Sequence, residues 1–211
     1  SIDRLKEKYS EKLKDPKNEF KNYLETINRQ IIDIKKLVNE FSDFARMPKP
    51  IFQRNNLVNL LNENIKLLQE LDNSIEFIVN NNAQKIFLDS DKEQLNRVFL
   101  NLIKNSIESI HQKSEKIEDF KKRISIEILK NKDHIRFILI DNGIGFVEIK
   151  DKFKEILNPY FTTKKNGTGL GLSIVNKIIN DHNGELNFSS INEGAKVEIN
   201  FKLNGDRNLN S

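Results

Sequence analysis

Several residue types and patterns are missing from this chain of 211 residues, and each absence excludes a class of protein. There is no cysteine, which excludes a disulfide framework and a thiolate metal site and is consistent with a reducing compartment. No apolar run in the sequence approaches the ~20 residues that a membrane-spanning helix needs. The 35 Lys and Arg alternate with 31 Asp and Glu, for a net charge of +4, without a long run of one sign. The charge pattern therefore does not indicate a nucleic-acid-binding protein.

The start of the chain has neither an initiator methionine nor a signal-peptide pattern at Ser1. We therefore expect a piece of a longer protein. The apolar content of 37% is adequate for a core, and the length suits one or two compact domains.

The first 50 residues predict helices followed by a linker. A seam of apolar residues has spacings that alternate between four and three: Phe20, Leu24, Ile27, Ile31, Ile34, Val38, Phe41 and Ala45. Such a seam is buried either against the protein's own domain or in a dimerising helical bundle, and its length favours the bundle. A shorter helical piece ending at Asp15 suggests a hairpin with a short first arm. Pro48 and Pro50 end the helical region, so we predict a hairpin and linker over residues 1–50 and a second domain over residues 51–211.

The second domain mixes helical and strand patterns. Helices are expected over residues 57–71, 91–110 and 172–180, and strands over residues 75–79, 85–88, 124–129, 134–140, 185–189 and 196–203. We read consecutive strands as hairpin-like pairs and Gly184 as the left-handed cap of the last helix. The predicted fold class is α+β: a two-layer sandwich in which helices cover one face of a mixed sheet, preceded by an α-helical hairpin.

Two glycine-rich segments predict a nucleotide site. Gly143 and Gly145 follow Asp141, and Gly167-Thr168-Gly169-Leu170-Gly171 runs directly into an apolar helix pattern. Glycines allow backbone N–H groups to approach a ligand closely, and the N-terminus of a helix attracts anions. The segment lacks the Gly-Lys-Ser/Thr of a P-loop and does not follow a first strand as a dinucleotide fingerprint would.

Other polar residues around these glycines have two readings each. Asn101 and Asn105 lie on one face of a helix, where their amide oxygens suit Mg²⁺, but they are also compatible with two solvated asparagines. Asp141 at a strand end can accept a hydrogen bond from an adenine amino group, or it is an ordinary turn residue. Phe161 is followed by Thr162, Thr163, Lys164 and Lys165, which either reach phosphate oxygens or form an exposed charged loop.

The order of these motifs resembles the catalytic ATP-binding domain of sensor histidine kinases, with its N, G1, F and G2 boxes, over about residues 55–203. The resemblance implies the fold shared with the gyrase, chaperone and mismatch-repair ATPases, with ATP and Mg²⁺ as cofactors. It implies that Asn105 binds Mg²⁺, that Asp141 binds the adenine amino group, and that residues 146–166 form a mobile lid. The ATP-binding residues carried over are Asn101, Asn105, Asp141, Gly143, Gly145, Phe161, Thr162, Thr163, Lys164, Gly167, Thr168, Gly169, Leu170 and Gly171.

Two features distinguish this chain within that superfamily. Hydrolytic relatives have a glutamate four residues before the metal-binding asparagine, and Asn101 at that position cannot act as a general base. Residues 31–50 resemble the second hairpin helix of nitrogen-regulation sensor kinases, whose phosphoacceptor histidine lies on the first helix. The three histidines here, His111, His134 and His182, all lie outside the hairpin, and we assign them structural or solvent roles. We expect ATP binding without autophosphorylation and name no certain catalytic residue.

For the intact protein the resemblance implies a histidine kinase, which is a transferase. The γ-phosphoryl group of ATP passes to a histidine of the bundle and then to an aspartate of a response regulator receiver domain. Homodimerisation through the hairpin is implied, as are the absence of a nucleic-acid partner and a cytoplasmic location below membrane segments outside this chain. The alternatives are an ATP hydrolase of the same superfamily and a nucleotide-gated binding module, a pseudokinase.

Overall fold

The protein was analysed as a computed structural model, in which residues 16–146, 153, 155–164 and 167–203 are described. The chain divides into two compact units, residues 1–46 and residues 47–211. The first unit contains helix α1 (Pro16–Ala45), which is 30 residues long. Residues 1–15, where we expect the first arm of the hairpin, lie outside the described residues, so the hairpin over residues 1–50 stays a prediction.

The apolar seam of α1 is exposed wherever its side chains are described. The exposed fractions of these residues range from 46% for Phe41 to 63% for Ile34. Ile32, which does not belong to the seam, is also exposed. Because α1 carries a seam of period 3.5 on an otherwise polar helix, it has the pattern of a helix that associates with other helices.

The second unit is built on a five-stranded mixed sheet and a small two-stranded one. The strands are β1 (Gln53–Asn56), β2 (Glu76–Asn81), β3 (Phe87–Ser90), β4 (Arg123–Lys130), β5 (His134–Asp141), β6 (Gly184–Ser190) and β7 (Ala195–Lys202). The order in the larger sheet is β2-β4-β5-β7-β6. Strands β2 and β4 are parallel, and the remaining neighbours in this sheet are antiparallel.

Three α-helices of this unit supply the second layer. They are α2 (Leu57–Leu71), α3 (Lys92–Ser114) and α4 (Gly171–Asp181), and a short 3-10 helix spans Glu155–Leu157. Alternate residues of the central strands are buried, as expected when a sheet packs helices on one face. Phe99 of α3 stacks on Phe137 of β5 with ring centroids 5.2 Å apart. The α+β class and the helix layer on a mixed sheet are therefore confirmed, with an N-terminal helix preceding them.

The prediction that the strands over residues 75–79 and 85–88 form a hairpin is wrong. Strand β2 pairs with β4, whereas β3 pairs with β1, a strand that the sequence did not reveal. Strand β1 is short and polar, so it lacks the alternation that identifies a strand. The guanidinium of Arg54 lies 5.0 Å from the ring centre of Phe87, so a polar side chain of β1 contacts an aromatic ring of β3 across this small sheet.

The ends of the helices follow from local chemistry, with one correction. Asp91 caps α3 by accepting a hydrogen bond from the backbone of Gln94 at 3.0 Å, and this helix continues to Ser114, beyond the predicted residue 110. The left-handed residue after α4 is Asn183 (φ 54°), not Gly184. Gly184 instead begins β6, where a Cβ atom would press on Ile179.

Candidate functional site

Asp141 is the last residue of β5 and is only 3% exposed. Its Oδ1 accepts a hydrogen bond from the backbone N–H of Gly143 at 2.9 Å, and its Oδ2 accepts one from the hydroxyl of Ser106 at 3.0 Å. Burial raises the pKa of the Asp141 carboxyl, and the donors from Gly143 and Ser106 oppose that rise. The side chain is therefore a buried, oriented hydrogen-bond acceptor and not a solvated turn residue.

The backbone after Asp141 has no room for a side chain at two positions, Gly143 and Gly145. A Cβ atom on Gly143 would lie 2.8 Å from the backbone nitrogen of Ile110. Gly145 is left-handed (φ 67°), and a Cβ there would meet the carbonyl oxygen of Gly194 at 2.5 Å. Gly194 (φ 101°) itself lies against the backbone of Asp141. Close packing of three backbone segments thus fixes the position of the acidic residue.

Asn101 and Asn105 share one side of α3 but face different segments. The amide nitrogen of Asn101 donates to the carbonyl of Arg97 at 2.8 Å, and its oxygen lies 3.1 Å from where a Cβ of Gly171 would be. Asn105 turns its oxygen towards Lys164, whose ammonium donates to it at 2.9 Å. Asn101 therefore lines the approach of the glycine-rich backbone, whereas Asn105 already contacts a cation.

The glycine-rich segment closes on itself before α4 begins. Gly169 is left-handed (φ 68°), and its carbonyl accepts a hydrogen bond from Tyr160 at 3.1 Å. A Cβ on Gly169 would lie 2.8 Å from the backbone nitrogen of Phe161. Leu170 precedes α4 and is fully buried, and it offers no side-chain hydrogen bond to the first turn. In the part of the chain that the structure describes, no side chain caps the first N–H groups of α4, as an anion site at a helix N-terminus requires.

The threonines of the predicted phosphate segment differ in their surroundings. The hydroxyl of Thr162 accepts a hydrogen bond from the backbone of Lys164 at 3.1 Å and lies near Gly167. Thr163 is exposed, and the Thr168 hydroxyl lies 3.5 Å from the backbone nitrogen of Leu170. Lys165 and part of the expected lid, namely residues 147–152, 154 and 166, lie outside the described residues.

Helix α3 connects all of these segments. Its first contact is between Asn101 and the start of α4. One turn later, Asn105 and Glu108 contact Lys164, and Ser106 contacts Asp141. Ser109 reaches the turn after Asp141, where its hydroxyl accepts a hydrogen bond from Ile144 at 3.0 Å. The four motifs, far apart in the sequence, therefore meet along one side of a single helix.

Sequence reasoning missed four residues of this arrangement: Ser106, Glu108, Ser109 and Gly194. The first three follow Asn105 within one turn of the same helix, so their spacing was a usable signal. Gly194 gave no such signal, because it lies in the turn between β6 and β7, far from every motif.

The residues present fit a magnesium ion. Among the described residues no group of three or more His, Cys, Asp or Glu forms a metal-binding cluster. Mg²⁺ does not need such a cluster when a nucleotide is bound, because it takes few protein ligands and completes its shell with water and substrate phosphates. The oxygen of Asn105 already accepts a hydrogen bond from the ammonium of Lys164, which shows that the position favours a positive charge.

The three histidines lie away from these motifs or at their margin. Nδ1 of His182 donates to the carbonyl of Ile178 at 2.8 Å, and its Nε2 accepts from the backbone of Asp91 at 3.0 Å. Nε2 of His111 lies 2.7 Å from a carboxylate oxygen of Asp72, and His134 contacts Asn131. Each ring thus has a local partner that accounts for its position.

A depression of about 620 Å³ adjoins the end of β5. Its lining includes Asp141 as well as Ser125 and Ile140, which alternate along their strands with residues buried against the helices. The depression therefore includes the buried acid of the site, whereas none of the residues named above on α3 lines it.

Helix α1 and the other described helices are each too short or too polar to cross a membrane.

Comparisons with known proteins identify the family and the fold. Residues 90–205 match the family of histidine kinase-, DNA gyrase B-, and HSP90-like ATPases. The chain is 38% identical over 204 residues to a putative sensor histidine kinase NtrY-like of Rickettsia felis, covering 95% of this chain and 32% of that protein. It is 30% identical over 219 residues to the nitrogen regulation protein NtrY of Azorhizobium caulinodans, covering 98% of this chain and 27% of that protein. The chain thus spans about a third of the length of the curated relatives it matches, or less.

Solved structures give the same fold. The nucleotide-free catalytic domain of the histidine kinase ThkA matches with a TM-score of 0.61 and 28% identity, covering 72% of this chain and 95% of that chain. A crystal structure of ThkA in complex with the response regulator protein TrrA matches with a TM-score of 0.68 at 23% identity, covering 95% of this chain and 56% of that chain. With a family match over more than half its length, this chain belongs to the histidine kinase-, DNA gyrase B- and HSP90-like ATPases.

Proposed function

We propose that this domain binds Mg-ATP along α3 and presents its γ-phosphoryl group to a histidine outside the chain. The observation that carries the proposal is the convergence of four motifs on one side of α3. The buried acceptor suits the adenine of one ligand, and the cation-binding amide suits its metal. The helix N-terminus without a capping side chain suits its phosphates. The protein's part in such a transfer is mainly to position the reactants and to offset their charge.

In this arrangement Asp141 accepts a hydrogen bond from the adenine amino group. Its Oδ1 accepts a hydrogen bond from Gly143 and its Oδ2 accepts one from Ser106, and a carboxylate has further lone pairs. Asn105 holds Mg²⁺, which offsets the phosphate charge, and the N–H groups at the start of α4 bind phosphate oxygens together with Lys164. Asn101 supplies no general base at the position where a hydrolase needs one, so transfer to a histidine is favoured over hydrolysis.

The wider function of the intact protein rests on its relatives. A curated relative of this chain is named as a nitrogen regulation protein, and ThkA forms a complex with a response regulator protein. We propose that the intact protein is a membrane-anchored sensor kinase with this domain on the cytoplasmic side. It dimerises through the helical hairpin that contains α1, and it passes the phosphoryl group to an aspartate of a receiver domain. Nucleic acid has no part in this function.

A two-step experiment tests the proposal. First, calorimetric titration of this chain with a non-hydrolysable ATP analogue and Mg²⁺ should show saturable binding; no uptake at millimolar concentration would contradict the nucleotide site. Second, the intact protein, which we expect to include the first arm of the hairpin, should acquire acid-labile phosphate from labelled ATP. Binding without labelling would favour a nucleotide-gated binding module, and rapid release of inorganic phosphate would favour a hydrolase.

A further inference from the structure

Glu108 lies one helical turn after Asn105, on the same side of α3. The ammonium of Lys164 donates to Oδ1 of Asn105 at 2.9 Å and also to a carboxylate oxygen of Glu108. Two oxygens of one helix therefore converge on a single positive charge. This cluster belongs to the site described above, but its carboxylate has no role in the proposed function.

A stabilising ion pair at the surface does not by itself explain this cluster. The side chain of Glu108 is 55% exposed and that of Lys164 is 36% exposed, so a pair between them alone adds little stability. The pair nevertheless lies against the amide oxygen proposed to bind the metal. Sites for Mg²⁺ in nucleotide-binding proteins normally include one or two carboxylates besides the phosphates, and Asn105 supplies only a neutral oxygen.

We propose that Glu108 is the second protein ligand of the magnesium ion, and that Lys164 occupies this cation position when no metal is present. The inference deepens the proposed function and rests on it. When Mg-ATP binds, the ammonium of Lys164 would move from the two oxygens to the phosphates, and Asn105 and Glu108 would then hold Mg²⁺. The ammonium thus exchanges two protein oxygens for phosphate oxygens, and those two protein oxygens pass to the metal.

The charges of the cluster support this exchange. With Lys164 in place, the carboxylate of Glu108 is offset. If the ammonium moved to the phosphates without replacement, the carboxylate would face the negative charges of a triphosphate and repel them. A divalent cation between the two groups turns that repulsion into attraction. The same carboxylate would therefore weaken the binding of metal-free nucleotide and strengthen the binding of Mg-nucleotide.

The test is the gain in affinity that Mg²⁺ confers, measured as the ratio of two dissociation constants. The probe is a non-hydrolysable ATP analogue, titrated by calorimetry in EDTA and in excess Mg²⁺. We expect Glu108→Gln to reduce this ratio at least tenfold, because the glutamine offers the metal a neutral ligand. Glu93→Gln removes an exposed carboxylate from the first turn of the same helix and should leave the ratio unchanged.

Lys164→Met separates metal binding from an indirect effect of the ion pair. Without the competing ammonium, the gain from Mg²⁺ should rise, and adding Glu108→Gln to this variant should lower it again. If Glu108 only holds Lys164, then Glu108→Gln will change both dissociation constants by the same factor, and the added substitution will have no effect in the Lys164→Met background. Either result would overturn the inference while leaving the nucleotide site intact. No binding by the unaltered chain in either buffer would instead contradict the proposed function.

Discussion

The hydroxyl of Ser106 donates a hydrogen bond to Oδ2 of Asp141 at 3.0 Å, across the junction between α3 and the end of β5. Both side chains are buried. The bond fixes the carboxylate in one orientation, with its Oδ1 on the N–H of Gly143. The residue that we propose to recognise adenine is thus held by α3, the helix that carries the proposed metal ligands. One helix therefore positions the groups that bind both ends of the nucleotide.

Asp141→Asn should weaken nucleotide binding without unfolding the domain. The amide replaces one acceptor oxygen with a donor, which cannot accept a hydrogen bond from an adenine amino group. A hydrogen bond to a charged group contributes about 1.5–3 kcal/mol, so we expect affinity for ADP to fall by roughly 10- to 100-fold. Calorimetry would measure this loss. Asp89→Asn, on an exposed side chain of β3, should bind ADP like the unaltered chain.

The same variant should have nearly the stability of the unaltered domain at neutral pH. Burial raises the folded-state pKa of Asp141 above its unfolded value, so the domain loses stability as pH rises through that interval. An asparagine has no such loss, but its amide nitrogen cannot accept the hydrogen bond from Gly143 or from Ser106, and the two effects oppose each other. The melting temperature at pH 7 should therefore change little for Asp141→Asn, and a marked decrease would show that the carboxylate is needed for folding and not only for the ligand.

Gly194→Ala should disrupt the site although this residue belongs to no motif. Its φ of 101° is unfavourable for alanine, and the added Cβ would overlap the backbone of Asp141. Strain of this kind costs about 1–3 kcal/mol before the overlap is counted, so we expect the melting temperature to fall by roughly 5 °C or more. Gly171→Ala is the control, since its Cβ would meet only the movable side chain of Asn101, at 3.1 Å. Equal melting temperatures for the two variants would contradict the role of Gly194.

The sequence predicted well wherever chemistry and periodicity are local. The apolar period of α3 and the two glycines after Asp141 are each set within a short stretch of sequence, and the order of such motifs identified the family. The sequence predictions failed where the contacting residues are far apart in the chain. The pairing of β2 with β4 instead of β3 depends on the whole sheet, and the dependence of Asp141 on Gly194 is a contact across 53 residues of sequence that no local pattern encodes.

The same division explains the smaller errors at the ends of elements. Asn183 takes the left-handed conformation because Gly184 is needed one residue later, where Ile179 and Phe201 leave no room for a side chain. Either residue is compatible with a helix end when judged by local preference. Packing of the strand against the helix decided between them, and that packing is a tertiary property.

His182 should make the domain less stable as the pH falls below about 6.5. Burial lowers the pKa of this ring, while Asp91 and Asp181 oppose the shift, and its Nε2 accepts a hydrogen bond from the backbone of Asp91. Because the folded-state pKa lies below the unfolded value, the unfolded chain binds the proton more readily, and stability decreases as pH falls through that interval. Melting temperatures measured from pH 7.5 to pH 5.5 would test this.

Two variants assign that pH dependence to one ring. His182→Gln should be less stable overall, since it loses the bond to Asp91 or to Ile178, but its melting temperature should vary less between pH 7.5 and pH 5.5. His134→Gln alters a ring at the start of β5 whose side-chain partner is the exposed Asn131, and it should keep the original slope. An unchanged slope for His182→Gln would assign the titration to another group.

Helix α1 offers a sharp test of the proposed dimer because two adjacent isoleucines differ in only one respect. Ile31 is 56% exposed and lies on the seam of period 3.5, whereas Ile32 is 64% exposed and lies outside it. If the seam packs against a second copy of the chain, Ile31→Lys places a charge in the interface and should weaken self-association at least tenfold by sedimentation equilibrium. Ile32→Lys adds the same charge outside the seam and should associate like the unaltered chain. Equal weakening by both substitutions would show that association depends on total apolar surface and not on a helical seam. No association in any of the three chains would mean that α1 alone does not form the dimer.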